Sequence, residues 1–113
     1  MILGKKQELF SRQVPRLIDE AHRLGFEIRL GDTYRDPRAH GGFGDKKSYS
    51  SAKSCHKLKL AIDLLLFSEG EYLTDTEDYR ELGEWWEKQH EDNRWGGRFQ
   101  DGNHFSMTHY GVM

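Results

Sequence analysis

One stretch constrains the fold more than any other: Leu58 to Phe67, an apolar run that carries a carboxylate, Asp63, in its middle. Ile62, Leu64, Leu65 and Leu66 surround the acid, and a run of this length and composition reads as a central strand. A carboxylate taken into such a setting is very costly unless something compensates its charge. A metal ion, an arginine or a group of backbone N–H donors would each serve. Whatever the fold brings to Asp63 is therefore the first candidate for function.

The rest of the chain supplies the elements to cover that strand. Leu17, Ile18, Ala21 and Leu24 recur at helical spacing, which predicts an amphipathic helix over Pro15 to Leu24. Pro15 suits its first turn and Gly25 its end. A separate helical piece is expected over Lys5 to Gln13. Phe26, Ile28 and Leu30 alternate with charged residues as in a half-buried strand. Asp36 to His56 is rich in Gly, Ser and Lys and reads as a long loop, a length that is often functional. Glu69-Gly70-Glu71 makes a turn into a short return strand at Tyr72-Leu73. Thr74 or Asp75 can cap a helix reaching about His90, with Tyr79, Leu82, Trp85 and Trp86 on or near its inner side. A Gly-rich, aromatic tail from Trp95 ends in a further short strand. Helices and strands mix without βαβ regularity, so the expected class is α+β, a small antiparallel sheet with flanking helices.

At 113 residues the chain is expected to form one domain, 1–113. The formal charge of −2 gives no strong pull toward nucleic acid or an anionic membrane. The charges are unevenly spread. From Arg29 to Lys59 there are eight Lys/Arg against three Asp/Glu, and from Asp63 to Asp92 two against eleven. The acidic half reads as a solvated helix face; the basic half can meet an anionic substrate or be a solvated loop. A lone cysteine, Cys55, cannot make an internal disulfide. The charged N-terminus lacks an apolar stretch long enough for a signal peptide or membrane span. The expectation is a monomer made in a bacterial cytoplasm, with no membrane and no nucleic-acid partner.

Two short motifs concentrate metal-binding chemistry. In Ser54-Cys55-His56-Lys57-Leu58-Lys59-Leu60-Ala61-Ile62-Asp63 an imidazole precedes the carboxylate by seven residues. An unbroken strand would hold the two roughly 23 Å apart on opposite faces. An unbroken helix would separate them by roughly 10 Å of rise. Neither lets both reach one ion at about 2 Å, so shared binding requires a bend between the loop end and the strand. In Asp101-Gly102-Asn103-His104 the Gly-Asn pair suits a tight two-residue turn, which would make Asp101 and His104 cross-strand neighbours about 5 Å apart. That spacing suits a ligand beside a general base, although an Asx turn with a surface histidine fits the same residues. Three protein ligands at most would leave a coordination place open, as in a catalytic rather than a structural zinc site. His22, His40, His90 and His109 read as ordinary histidines, and Cys55 as a small buried residue.

Taken in order, Ser-x-His-(x6)-Asp followed by Asp-x-x-His-Phe resembles the zinc peptidases of the D-alanyl-D-alanine carboxypeptidase and dipeptidase family. Within it the chain is most similar to phage endolysins that are L-alanyl-D-glutamate peptidases, which share a fold with the hedgehog signalling domain. The likeness runs from Tyr34-Arg35 through Ser54–Asp63 to Trp95-Gly96-Gly97 and His104-Phe105. The resemblance implies one Zn2+ held by His56, Asp63 and His104, with Asp101 as the catalytic base. It implies that Arg35 holds a substrate carboxylate and that Ser54 supports the site. Trp95 is a candidate cleft wall, with simple packing as the alternative. The implied substrate is bacterial peptidoglycan, cut at a stem-peptide bond, L-Ala–D-Glu, during phage lysis, after release of the protein to the wall. Two positions depart from the family pattern: Lys59 where Gly is frequent, and Asn103 where Pro is frequent. Alternatives are a D-Ala-D-Ala carboxypeptidase or dipeptidase, and a non-enzymatic zinc-binding hedgehog-like domain; a metal nuclease is only faintly echoed in Gly102-Asn103-His104.

Overall fold

The computed structural model describes residues 1–48, 50 and 52–112. Among these, three α-helices, α1 (Leu3–Arg23), α2 (Pro37–His40) and α3 (Arg80–Gln89), accompany five strands. The strands are β1 (Glu27–Leu30), β2 (Ala61–Ser68), β3 (Glu71–Tyr72), β4 (Asn93–Trp95) and β5 (His104–Met107). They form one antiparallel sheet in the order β1-β2-β5-β4, with β3 paired to the end of β2. The class is α+β, a small antiparallel sheet with flanking helices, and the apolar run is its central strand. The strand starts at Ala61 rather than Leu58, because Cys55–Leu58 forms a 3₁₀ turn instead.

The two helical pieces expected at the N-terminus are one helix. Pro15 lies inside α1, where a proline removes a hydrogen bond and crowds the preceding turn at a cost of about 3 kcal/mol. Lys6, Phe10, Gln13, Leu17 and Ala21 nevertheless form one continuous buried face, and each large apolar side chain among them contributes about 1.5–3 kcal/mol. Phe10 on one side of the proline and Leu17 on the other therefore outweigh it, while Pro15 faces outward. Gly25, with φ of 96°, ends the helix as expected, and Phe26 N–H donates to the Ala21 carbonyl.

Register divides the sheet into two faces. Ile62, Leu64, Leu66, Phe105 and Met107 point one way and are buried with Leu17, Ala21, Leu82 and Trp86 in the core. Asp63 pairs with His104, Ala61 with Ser106, and Ser106 with Arg94, so these five share the opposite face. The alternation in β1 is less complete than expected: Ile28 is half-buried, but Leu30, at the outer end of this edge strand, is 66 % exposed. β2 returns as β3 through Glu69 and Gly70, both at positive φ (51° and 82°), the geometry of a tight two-residue hairpin. Asp75 precedes a 3₁₀ turn, Thr76–Tyr79, that leads into α3, and its side chain makes no cap bond. β4 lies where the sequence suggested only the start of a tail. Among the described residues no helix is long and apolar enough to cross a membrane.

Candidate metal centre

His56 and Asp63 meet because the chain reverses between them. Ser54 caps the 3₁₀ turn by accepting a hydrogen bond from His56 N–H at 3.1 Å. Lys59 then adopts the left-handed conformation (φ 58°, ψ 35°), and Leu60 N–H donates to the Cys55 carbonyl. The bend that shared binding required is thus a 3₁₀ turn closed by a left-handed residue. Only glycine takes that conformation freely, so Lys59 sits there at a cost. β5, beside β2, delivers His104 directly opposite Asp63.

Three donor atoms converge. His56 Nε2 is 3.1 Å from Asp63 Oδ1, His104 Nδ1 is 3.2 Å from His56 Nε2, and His104 Nδ1 is 3.4 Å from Asp63 Oδ1. An ion bonded tetrahedrally at about 2.0–2.1 Å sets its ligand atoms about 3.3 Å apart, so the triangle already has the size of one face of that tetrahedron. His56 Nδ1 lies 2.7 Å from the Thr33 carbonyl. A carbonyl only accepts, so this nitrogen carries the proton, and in the neutral ring the lone pair of Nε2 faces the cluster. A lone pair, a carboxylate oxygen and a second imidazole nitrogen then crowd one point, which a cation between them relieves. Burial works to raise the Asp63 pKa, but with the imidazoles of His104 and His56 in their protonated form, their hydrogen bonds and positive charge outweigh it and hold the carboxyl at about 2. The group His56, Asp63 and His104 can hold a metal ion.

The cluster opens onto a cleft of about 530 Å³ whose lining includes Arg35, Ser54, Trp95, Asp101, Ser106 and Arg94. Asp101 is outside the donor triangle. Its Oδ2 lies 4.0 Å from His104 Nδ1, and its side chain is 60 % exposed. The expected Gly-Asn hairpin does not form. His104 N–H does donate to the Asp101 carbonyl at 3.1 Å, closing a turn, but neither Gly102 nor Asn103 has the positive φ of a primed hairpin turn. Asp101 follows a 3₁₀ turn, Gly96–Phe99, rather than a strand. Gly102 is needed for another reason: a Cβ there would stand 2.8 Å from the Thr76 Cα.

Arg35 faces the site's own oxygens. Its Nε donates to Asp32 Oδ2 at 3.2 Å and its Nη1 to Ser50 and Ser54 Oγ at 3.1 and 3.4 Å. Its Nη2 is 3.9 Å from Asp63 Oδ2, so the guanidinium steadies the outer side of the Asp63 carboxylate. Trp95 is largely buried while also bordering the cleft. Its indole fits against Gly83 and Gly97, and its Nε1–H donates to the Gly102 carbonyl at 2.6 Å. It therefore acts mainly by holding the Asp101–His104 turn in place. Cys55 is buried, with its thiol directed at the Met107 carbonyl and its pKa pushed up to about 12 by burial.

Several contributors were not singled out from sequence. Lys57, next to His56, is buried and donates to the carbonyls of His40, Gly42 and Asp45, tying the long loop to the site. Tyr49 and Ser51 of that loop lie outside the described residues. Ser106 and Arg94 share the site face; the two-residue period from His104 marks Ser106, whereas Arg94 needs the unrecognised strand β4. No protein-family model matches the chain, and no curated protein matches it.

Proposed function

We propose that the chain is a zinc-dependent peptidase that hydrolyses a peptide bond in peptidoglycan stem peptides, L-Ala–D-Glu, and that it serves phage lysis of a bacterial host. The observation that carries this reading is the triangle of two imidazole nitrogens and one carboxylate oxygen, 3.1–3.4 Å on its edges, at the floor of an open cleft. Two nitrogens and one oxygen are borderline donors suited to zinc, and three ligands are the number of a catalytic site. The order of motifs along the chain supports a hedgehog and DD-peptidase type of fold.

When bound, zinc supplies Lewis acidity, bringing the pKa of water from about 16 to near 7 and polarising a carbonyl oxygen. The residues of the chain do the rest. Thr33 fixes the His56 tautomer through Nδ1, which leaves Nε2 free to bind. Arg35 holds the outer oxygen of Asp63 and so aims the inner one at the cluster. Asp101, free of the triangle and open to the cleft, accepts the proton of attacking water on its carboxylate and returns it to the departing amine.

Digestion of defined peptidoglycan followed by mass analysis tests the reading. New N-terminal D-Glu is the expected product. Free D-Ala would mean a carboxypeptidase instead, and an unchanged wall with zinc bound would mean a non-enzymatic zinc domain.

A further inference from the structure

The face of the sheet that carries Asp63 and His104 continues past them to a second pair of polar groups. Ser106 is two residues beyond His104 on β5 and is fully buried. Its hydroxyl has no hydrogen-bond partner, yet it lines the cleft. A buried hydroxyl without a partner is destabilising, so its retention at this place calls for a ligand. Arg94 pairs with Ser106 across β4 and β5, which sets their Cβ atoms about 5 Å apart on one face. Its Nη1 donates to the carbonyls of Glu91 and Asn93 at 2.7 and 2.8 Å, which anchors the guanidinium. Its Nε and Nη2 have no partner among the described residues, and the side chain lines the cleft. Arg35, by contrast, is engaged with Asp32, Ser50, Ser54 and Asp63.

We propose that Ser106 and Arg94 form a second subsite, which binds a substrate carboxylate on the β4 side of the metal centre and so selects stem peptides whose D-Glu α-carboxyl is free over those in which it is amidated. The proposal rests on the peptidase reading and deepens it. Both groups donate to a single acceptor: the hydroxyl gives one hydrogen bond, and the guanidinium presents a donor edge matched to a carboxylate. Lys53, which also lines the cleft, adds positive charge, and among the described residues that line it Asp101 is the one carboxylate besides Asp63 of the metal centre. An amide in place of the carboxylate keeps one acceptor but loses the charge and brings N–H groups against donors.

The test is calorimetric binding of two tripeptides, L-Ala-γ-D-Glu-L-Lys and its D-isoglutamine counterpart, to the zinc-chelated protein. Hydrolysis of the same pair by the zinc-loaded protein is followed in parallel. The wild type is expected to bind the carboxylate peptide at least about tenfold more tightly, the size of one charge-assisted hydrogen bond. Arg94→Gln should erase that preference, and Ser106→Ala should weaken binding of the carboxylate peptide about threefold or more. In the zinc-loaded protein the loss should appear in KM rather than kcat. Because the Ser106 hydroxyl has no partner, Ser106→Ala should melt at the same temperature as the wild type or higher. Equal affinity of the wild type for the two peptides, or an undiminished preference in Arg94→Gln, would overturn the subsite. Selective binding without hydrolysis would retain the subsite and remove the peptidase reading.

Discussion

Replacing Gly83 by alanine should destabilise the protein, although the same change in an ordinary helix stabilises it. Gly83 is buried within α3. On helix propensity alone the substitution would gain about 1 kcal/mol. The added Cβ, however, would stand 2.1, 2.4 and 2.5 Å from the Trp95 indole. Both partners are rigid, so the ring must move by about 1 Å or more to restore normal contact. Overpacking of this kind costs about 1–3 kcal/mol. Displacing the indole also lengthens the 2.6 Å hydrogen bond from Trp95 Nε1 to the Gly102 carbonyl, a buried pair whose loss costs about 1–3 kcal/mol. The penalties outweigh the propensity gain and leave a net loss of about 1–5 kcal/mol, a drop in Tm of roughly 5–20 °C for a domain of this size. Urea and thermal unfolding followed by circular dichroism measure it, with the exposed helix position Glu84→Ala as control. Since Gly102 belongs to the turn that carries His104, zinc affinity should fall in the same variant. A Gly83→Ala protein as stable as the wild type, with unchanged zinc affinity, would refute this account of how the turn is held.

Lys59→Gly should raise stability by about 0.5–1 kcal/mol in urea unfolding. A non-glycine residue at φ 58° costs about 1–2 kcal/mol, partly offset by the greater freedom of glycine in the unfolded chain and by loss of the Lys59 ammonium from the Tyr34 ring, 5.0 Å away. Asp101→Ala should keep one zinc per chain while turnover falls at least about a hundredfold, whereas His56→Ala should lose both; a fully active Asp101→Ala would reassign the base. The metal-free protein should lose stability in acid through Asp63. With the carboxyl lowered from 3.8 to about 2 in the folded state, its contribution of about 2 kcal/mol is complete above pH 4 and disappears as pH falls through 2. Asp63→Asn should flatten that part of the curve, measured by urea unfolding at several pH values.

Much of this arrangement was legible in the chain because it depends on local spacing. The apolar run marked β2, and the need to compensate Asp63 marked the site. The impossibility of straight geometry between His56 and Asp63 marked the bend. What escaped depends on distant partners. Pro15 read as a helix start because its local cost is plain, while the burial of Phe10 and Leu17 that overrides it comes from a core shared with distant elements, Trp86 of α3 among them. β4 is three residues long and polar at two of them, too short for any period to appear. Trp95 read equally well as a cleft wall or as packing because its neighbours Gly83 and Gly97 are set by tertiary approach. The Asp101–His104 turn was expected as a hairpin from its Gly-Asn pair, but Gly102 is there to pass close to Thr76.

Zinc titration of the chelated protein tests the central claim most directly. The wild type should bind one ion per chain, with X-ray absorption reporting two imidazole nitrogens and one carboxylate oxygen at about 2.0–2.1 Å, and Asp63→Ala should bind far more weakly. A wild type that takes up no zinc, or an Asp63→Ala protein that binds it equally well, would contradict the account.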